Sequence, residues 1–361
     1  MPMQSTTATG VTSRLSVLVT GGAGFIGSHV TAALLDAGHT VRVLDSLHPA
    51  AWKGAAPLVD PRASLVYGDV NDGGLVRDLL DGVDVVCHHA AMVGMGLNVT
   101  DLPKYVLNND LGAAVVLAAM AEQGVARLVL ASSMVVYGEG SYRCVDDGVV
   151  RPLARRAADL ASGVFDPRCA RCDQLVEWAP VSEAAPLQPR SGYAATKVAQ
   201  EHLAAAWQRE TGGDVIALRY HNVYGPRMPR DTPYAGVAAI FRSALAAGEA
   251  PRVHEDGGQV RDFVHVDDVA WANVLAVEST PRWAFTPLNI ASGRPITVWR
   301  MAEMLATEIA GPSPLLTGQV RPGDVRHVVA SPKHAASVLG FRAAIGPDEG
   351  LRSFAHAALR D

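Results

Sequence analysis

The sequence predicts an α/β chain built on a doubly wound parallel sheet, and three observations lead there. Short β-rich runs alternate with helical ones through the first half, a glycine triplet separates the first strand from the first helix, and an aspartate closes the second strand. Of the 361 residues 49% are hydrophobic, enough for a large core, and only 19% are charged, too few for long disordered tracts. A formal charge of −5 argues against nucleic-acid or anionic-membrane partners. No apolar run approaches the roughly 20 residues that cross a bilayer. Four cysteines are too few for a disulfide scaffold, and residues 1–14 read as a flexible leader without a hydrophobic signal core. A cytoplasmic protein is expected.

Residues 15–20 (LSVLVT) form the first predicted strand and 25–37 the first helix, stopped at Gly38. TVRVLD (40–45) is the second strand; 64–70, 83–91 and 126–133 follow, with helices near 72–81 and 109–123 between them. Residues 141–190 change texture: rich in Arg, Pro and Asp, and holding three of the four cysteines, they read as an insertion before a helix at 191–210. A strand over 214–226 and a helix over 237–248 come next. The expected division is a Rossmann-like nucleotide-binding domain over 15–225 and a smaller, discontinuous C-terminal substrate-binding lobe over 226–361, with 260–293 returning to the first domain. Ligands of such a sheet lie beyond the carboxyl ends of its strands.

Gly21, Gly24 and Gly27 occupy the turn between the first strand and helix. The first permits a tight turn, the second lets backbone approach a pyrophosphate, and the third allows close helix–strand packing. Phe25 and Ile26 open the helix, whose free N–H groups and partial positive charge suit phosphate. Asp45 ends the next strand and is expected to accept both ribose hydroxyls of an adenosine. It would repel a 2′-phosphate, and Ser46 and Leu47 bring no cation, so NAD is favoured over NADP. Asp69, followed by Val70, ends the third strand and is placed at the adenine edge, although an ordinary turn aspartate reads the same way.

Tyr193 and Lys197 stand four residues apart in a predicted helix and so share a face. A neighbouring ammonium favours phenolate, so Lys197 is expected to lower the tyrosine pKa and fit it for proton transfer. Alone, the pair reads equally as the surface of an ordinary helix. Ser133 ends the strand 126–133 at the cleft, where its hydroxyl is positioned to bond a substrate oxygen.

Taken in order, TGGAGFIGSHV, HHAA, NNDLGA, SSMVVYG, YAATK, RYHNVYGP, RDFVHVDDVA, LNIASG and RPGD span roughly 15 to 355, and the chain resembles the extended short-chain dehydrogenase/reductases, specifically their nucleotide-sugar epimerases. The resemblance implies a catalytic trio of Ser133, Tyr193 and Lys197, with Lys197 also holding the nicotinamide ribose. It places Ala90, Ala91 and Asn109 along the cofactor path, and His221 and Asn222 at nicotinamide and substrate. Arg261 and Arg321 correspond to diphosphate-binding arginines, a sensible clamp for two phosphates. Asp324 matches an acid near the nucleotide ribose, Val237 belongs to the same substrate set, and Val328 aligns with a position limiting sugar substituents.

The implied reaction is transient oxidation at the sugar C4, turning of the 4-keto sugar about its diphosphate, and hydride return, with NAD retained. Dehydratases of the same family carry an Asp-Glu pair after the active-site hydroxyl residue, where this chain has Met134-Val135. Another dehydratase or reductase therefore fits less well. A non-catalytic NAD-binding regulator would be expected to lack part of the trio, which is complete. The stretch after Thr232 and the cysteine-bearing insertion resemble dTDP-L-rhamnose 4-epimerases more than UDP-galactose 4-epimerases, so a dTDP-deoxysugar is expected, with UDP-hexoses and UDP-hexuronates as alternatives. The family's dimer helices correspond to 109–123 and 193–210, both with alanine-rich faces, and a homodimer is expected.

Cys169 and Cys172 have the spacing of half a zinc knuckle, Cys144 lies 25 residues earlier, and Asp147 stands near it. A structural site needs four ligands; with three thiols, a carboxylate that is a poor fourth and no histidine in 141–190, reduced cysteines in a loop are expected and no metal is assigned. Cys87 reads as core.

Overall fold

The computed structural model describes residues 14–49, 59–94, 99–230, 236–321 and 324–360. The expected leader and the loop before the helix at 237 lie outside them, apart from Arg14 and Gly236. The first half runs β1 (Ser16–Thr20), α1 (Phe25–Asp36), β2 (Thr40–Asp45), β3 (Ser64–Tyr67), α2 (Gly73–Leu79), β4 (Val85–His88), α3 (Leu102–Tyr105), a π-helical turn (Val106–Leu111), α4 (Gly112–Gln123) and β5 (Arg127–Ser133). The insertion contributes β6 (Ser141–Cys144), β7 (Gly148–Val150), α5 (Ala157–Ala161) and β8 (Glu177–Ala179). Next come α6 (Gly192–Thr211), β9 (Asp214–Tyr220), β10 (Asn222–Tyr224) and α7 (Val237–Ala246). The remainder holds β11 to β13 (Arg252–Val253, Val260–Arg261, Phe263–His265), then α8 (Val266–Glu278), β14 (Phe285–Ile290), β15 (Ile296–Thr297), α9 (Val298–Ile309), β16 (Leu315–Leu316), α10 (Lys333–Leu339) and α11 (Pro347–His356).

Seven strands form one sheet in the order β14-β9-β5-β4-β1-β2-β3, and every pairing in it is parallel. The order reverses between β1 and β4, so the crevice for a ligand opens there. Alternation along the strands sorts the core into two layers. Val17, Val19, Val41, Val43 and Cys87 pack with α1 and α8 on one face. Leu18, Leu44, Val86 and Leu128 pack with α2, α4 and α6 on the other. A third core joins α7, α9 and α11 around Phe263, Leu305 and Phe354.

Three differences from the sequence expectation have local causes. The strand expected at 83–91 pairs only from Val85 to His88, because the chain turns out of the sheet to pass the glycine turn. The strand expected at 214–226 breaks at His221: β9 stays in the main sheet while β10 pairs with β13. The helix expected from 109 is α-helical only from Gly112, after the π turn that carries Asn109. Such turns occur frequently at functional sites. In the insertion, the order β7-β6-β8 makes a separate antiparallel sheet.

The glycine turn is held by close approach. Gly21 has φ +70°, and a Cβ on it would lie 2.6 Å from the Ala90 nitrogen. A Cβ on Gly27 would lie 2.2 Å from the Gly21 carbonyl oxygen. Gly27→Ala is expected to cost roughly 1–3 kcal/mol, read as a lower urea midpoint with an unchanged slope.

Candidate active site

Glycines 21, 24 and 27 bring the amino end of α1 against the carboxyl ends of β1 and β4. Gly24 caps α1 without a side chain, no acid occupies the first turn, and the N–H groups at Phe25 and Ile26 therefore face outward from the helix start. Asp45 is drawn towards this turn, accepting from the Ala23 N–H at 3.0 Å and the Leu47 N–H at 2.9 Å. Burial raises its pKa, while those N–H groups and the charge of Arg360 oppose the rise. The fold thus supplies near Asp45 a cation that its own neighbours in sequence do not. Asp69 is exposed and accepts from the Asn71 N–H at 2.9 Å, while Val70 is buried in the core. Asp69 is thus built as a turn residue beyond β3.

Ala90 and Ala91 follow β4, and the Ala90 N–H donates to the Thr20 hydroxyl at 3.3 Å. Asn109, expected along the cofactor path, sits inside the fold. It is fully buried: its oxygen accepts from the Met92 N–H at 2.7 Å, and its amide donates to the Met92 carbonyl at 3.0 Å and to the Thr196 hydroxyl at 2.9 Å. A wider π turn puts this side chain between the loop after β4 and α6. It positions both.

Ser133, at the end of β5, and Tyr193, in the first turn of α6, come together, near enough for the serine hydroxyl to favour the ionised phenol. Burial nevertheless pushes the Tyr193 pKa above its ordinary value, and the Tyr105 ring, 6.2 Å away, adds to the rise. The expected lowering by Lys197 is absent here. Its ammonium lies 6.0 Å from the Tyr193 ring centroid but turns into the protein, donating to the Ala131 carbonyl at 2.8 Å and to Gln200 at 2.9 Å. Burial lowers the Lys197 pKa to about 8, against the raising influence of Glu201 and Asp110.

Sequence reasoning missed the polar layer beneath this group. Ser132 donates to Glu201 at 2.5 Å, and Glu201 accepts two bonds from Arg219, at 2.9 and 2.6 Å. Arg219 also donates to the Tyr137 hydroxyl at 2.9 Å, which donates to Asn289 at 2.8 Å. The signal was available in the pattern: Lys197, Gln200 and Glu201 lie on the same face as Ala204 and Trp207, at helical spacing, where a core-facing stripe should be apolar.

His221 is buried with neither ring nitrogen hydrogen-bonded, although Asp262 and Asn289 lie beside it, and burial lowers its pKa to about 4. The Asn222 side-chain oxygen is likewise buried without a partner. Orphaned groups of this kind call for a ligand. On the lobe side, Arg261 donates to the carbonyls of Val325 at 2.6 Å and Arg326 at 2.8 Å, with Asp324 among the acids acting on it. Arg321 is exposed, and the two residues after it lie outside the described set. Val328 is buried beside Arg261, and Val237 packs on the third core at the start of α7.

Comparison with known proteins agrees with this geometry. Residues 17–155 and 174–291 match the family described as NAD dependent epimerase/dehydratase. A dTDP-L-rhamnose 4-epimerase from Burkholderia thailandensis is 33% identical over 341 residues, covering 93% of this chain and 92% of that protein. The solved UDP-glucose 4-epimerase of Thermotoga maritima, with UDP-glucose, gives a TM-score of 0.77 at 28% identity, covering 94% of this chain and 97% of its own. That of Thermus thermophilus, in complex with NAD, gives 0.75 at 31%, covering 94% and 98%.

The buried ammonium has a pH signature. In the unfolded chain Lys197 keeps its ordinary pKa of 10.5, whereas in the fold it titrates near 8, so between these values the unfolded state binds more protons and stability rises with pH. The stability of wild type relative to Lys197→Met is expected to climb by up to about 3 kcal/mol across that window. A flat difference in denaturant titrations would show that the ammonium is not buried.

Proposed function

The chain belongs to the NAD dependent epimerase/dehydratase family and is an NAD-dependent nucleotide-sugar epimerase, an isomerase, and from that premise we propose that it inverts C4 of a dTDP-deoxysugar, with dTDP-L-rhamnose the first candidate. The observation that carries the 4-epimerase reading is the meeting of Ser133 and Tyr193, with Lys197 one turn on, at the carboxyl end of β5. Met134 and Val135, next in the chain, hold no proton that dehydration could use. The choice of dTDP-L-rhamnose rests on the Burkholderia relative, and the similarity to UDP-glucose 4-epimerases keeps UDP-hexoses as the second reading.

The residues fit NAD. Side chains at Gly21 or Gly27 would fill the turn, the start of α1 carries no acid, and the Asp45 carboxylate is held against it. When bound, NAD supplies a hydride acceptor that later returns the hydride, and a positive ring that offsets the raised pKa of the phenol. Tyr193 then takes the proton of the sugar hydroxyl and gives it back to the oxygen after the sugar has turned. Ser133 orients that hydroxyl, and Lys197 holds the nicotinamide ribose. Asp45 bonds the adenosine ribose, and Asn222, Arg261 and Asp324 face the nucleotide sugar.

The homodimer is part of this proposal. Val106, Leu107, Leu111 and Leu203 are 44, 51, 45 and 36% exposed on the adjoining π turn and α6, an apolar patch suited to a second copy.

Proton NMR of a panel of dTDP- and UDP-sugars should show C4 inversion fastest with dTDP-L-rhamnose; inversion of UDP-sugars alone would replace the base assignment. Tyr193→Phe is expected to lower turnover roughly 10²–10⁴-fold with NAD still retained on purification. In Asp45→Ala, NAD retention should fall more than sugar affinity. Leu107→Glu with Leu111→Glu should convert a dimer to a monomer by light scattering; a monomeric wild type would remove the dimer.

A further inference from the structure

The fold gathers the insertion's three cysteines and Asp147 into one cluster. Cys144 ends β6, Asp147 lies in the turn to β7, and Cys169 and Cys172 stand in the turn before β8. Their ligand atoms all lie within 4.8 Å of one another. Cys144 Sγ is 3.4 Å from Cys172 Sγ, while Asp147 Oδ2 is 3.1 Å from Cys169 Sγ and 3.7 Å from Cys144 Sγ. Around a tetrahedral zinc, with Zn–S about 2.3 Å and Zn–O about 2.1 Å, neighbouring ligand atoms stand roughly 3.5–3.8 Å apart. The separations of 3.4, 3.1 and 3.7 Å lie within about half an ångström of those edges. We propose that Cys144, Asp147, Cys169 and Cys172 bind one zinc ion that holds the insertion together.

Three further features support a metal in place of loose thiols. Three soft sulfur donors with one carboxylate at tetrahedral spacing suit zinc over magnesium or calcium. The Arg171 N–H points at Cys169 Sγ at 3.5 Å, and its guanidinium lies 3.6 Å from the outer oxygen of Asp147. Both favour the negative charge that three thiolates and a carboxylate keep around a divalent ion. The insertion is also too slight to stand alone. Its strands have 4, 3 and 3 residues, and its own core is Tyr142, Cys144, Cys169 and Val176, so two of the four core residues are ligands. A Cys144–Cys172 disulfide would leave Cys169 and Asp147 without a role. The sequence leaves Asp147 a doubtful fourth ligand; the fold turns it towards Cys144 and Cys169.

The consequence reaches the active site, and this step rests on the epimerase reading. Tyr142 accepts from the His327 N–H at 3.1 Å, Asp166 accepts from Arg326 at 3.0 Å and bonds the His327 ring at 2.8 Å, and Arg155 donates to the Asp324 carbonyl at 3.0 Å. The insertion thus grips 324–327, the stretch that presents Asp324 and whose carbonyls seat Arg261. Zinc therefore positions the nucleotide-sugar side of the site and leaves the NAD side alone.

Elemental analysis of the full-length protein purified without chelators should give one zinc per chain. Cobalt substituted into it should show the intense visible bands of a tetrahedral thiolate site. Cys169→Ser should lose the metal, and Asp147→Asn should bind it at least tenfold more weakly in competition with a chromophoric chelator. Removing the metal should lower nucleotide-sugar affinity while bound NAD is retained. If the cysteine variant does not fold, zinc content and the cobalt spectrum of wild type still decide. Wild type that carries no metal and takes up no cobalt, or a Cys144–Cys172 disulfide in non-reducing peptide maps, overturns the proposal, and an Asp147→Asn protein of unchanged affinity removes the carboxylate. These readouts need no turnover: a metal-free but active enzyme sinks only the zinc site, and a zinc-loaded protein inert towards nucleotide sugars sinks only the epimerase.

Discussion

The structure depends on burying one ammonium. Lys197 sits inside the interface between α6 and the sheet, and a charge taken from water must be bonded or it destabilises the fold by several kcal/mol. Ala131 and Gln200 bond it, and Asp110 and Glu201 lend negative charge. Glu201 would then be a second buried charge, and Arg219, stacked 5.0 Å over the Tyr137 ring, answers it. One cation thereby recruits a chain of polar groups across β5, β9 and α6, each of which is costly to leave unpaired. That chain fixes the rotation of α6 about its axis, and the rotation decides that Tyr193 meets Ser133.

The same fixed helix connects the trio to the cofactor side. Asn109 ties Thr196 on α6 to the Met92 backbone, and the loop it holds passes so close to Gly21 that no side chain fits between them. The nucleotide cradle and the proton-transfer group are thus set by one contact path from β1 through the loop after β4 to α6. On the opposite side, the insertion sets the stretch around Asp324. The glycine turn and the stretch around Asp324 are thus held by separate parts of the chain, the sheet and the insertion.

Much of this was legible in advance because it is local. The strand–glycine–helix order, Asp45 at the end of β2 and the four-residue step from Tyr193 to Lys197 are written in consecutive residues, and period-2 and period-3.6 patterns place them on their elements. Where the local signal was read too simply, the reading failed. Lys197 was expected to lower the phenol's pKa as well as hold a ribose, yet burial dominates the electrostatics of both groups, and the ammonium bonds Ala131 and Gln200. Asn109 was expected along the cofactor path, and a π turn no simple periodicity announces seats it between the loop after β4 and α6.

The sequence by itself determined the alternation of strands and helices, the cradle and the step from Tyr193 to Lys197, since each rests on spacing within a dozen or so residues. Only tertiary structure decided which acids stand beside Lys197, that Arg360 from the far end approaches Asp45, and that Asp147 joins three cysteines. The reason is physical: charge interactions and ligand geometry depend on distance through space and on exclusion of water, and neither is fixed until remote segments pack.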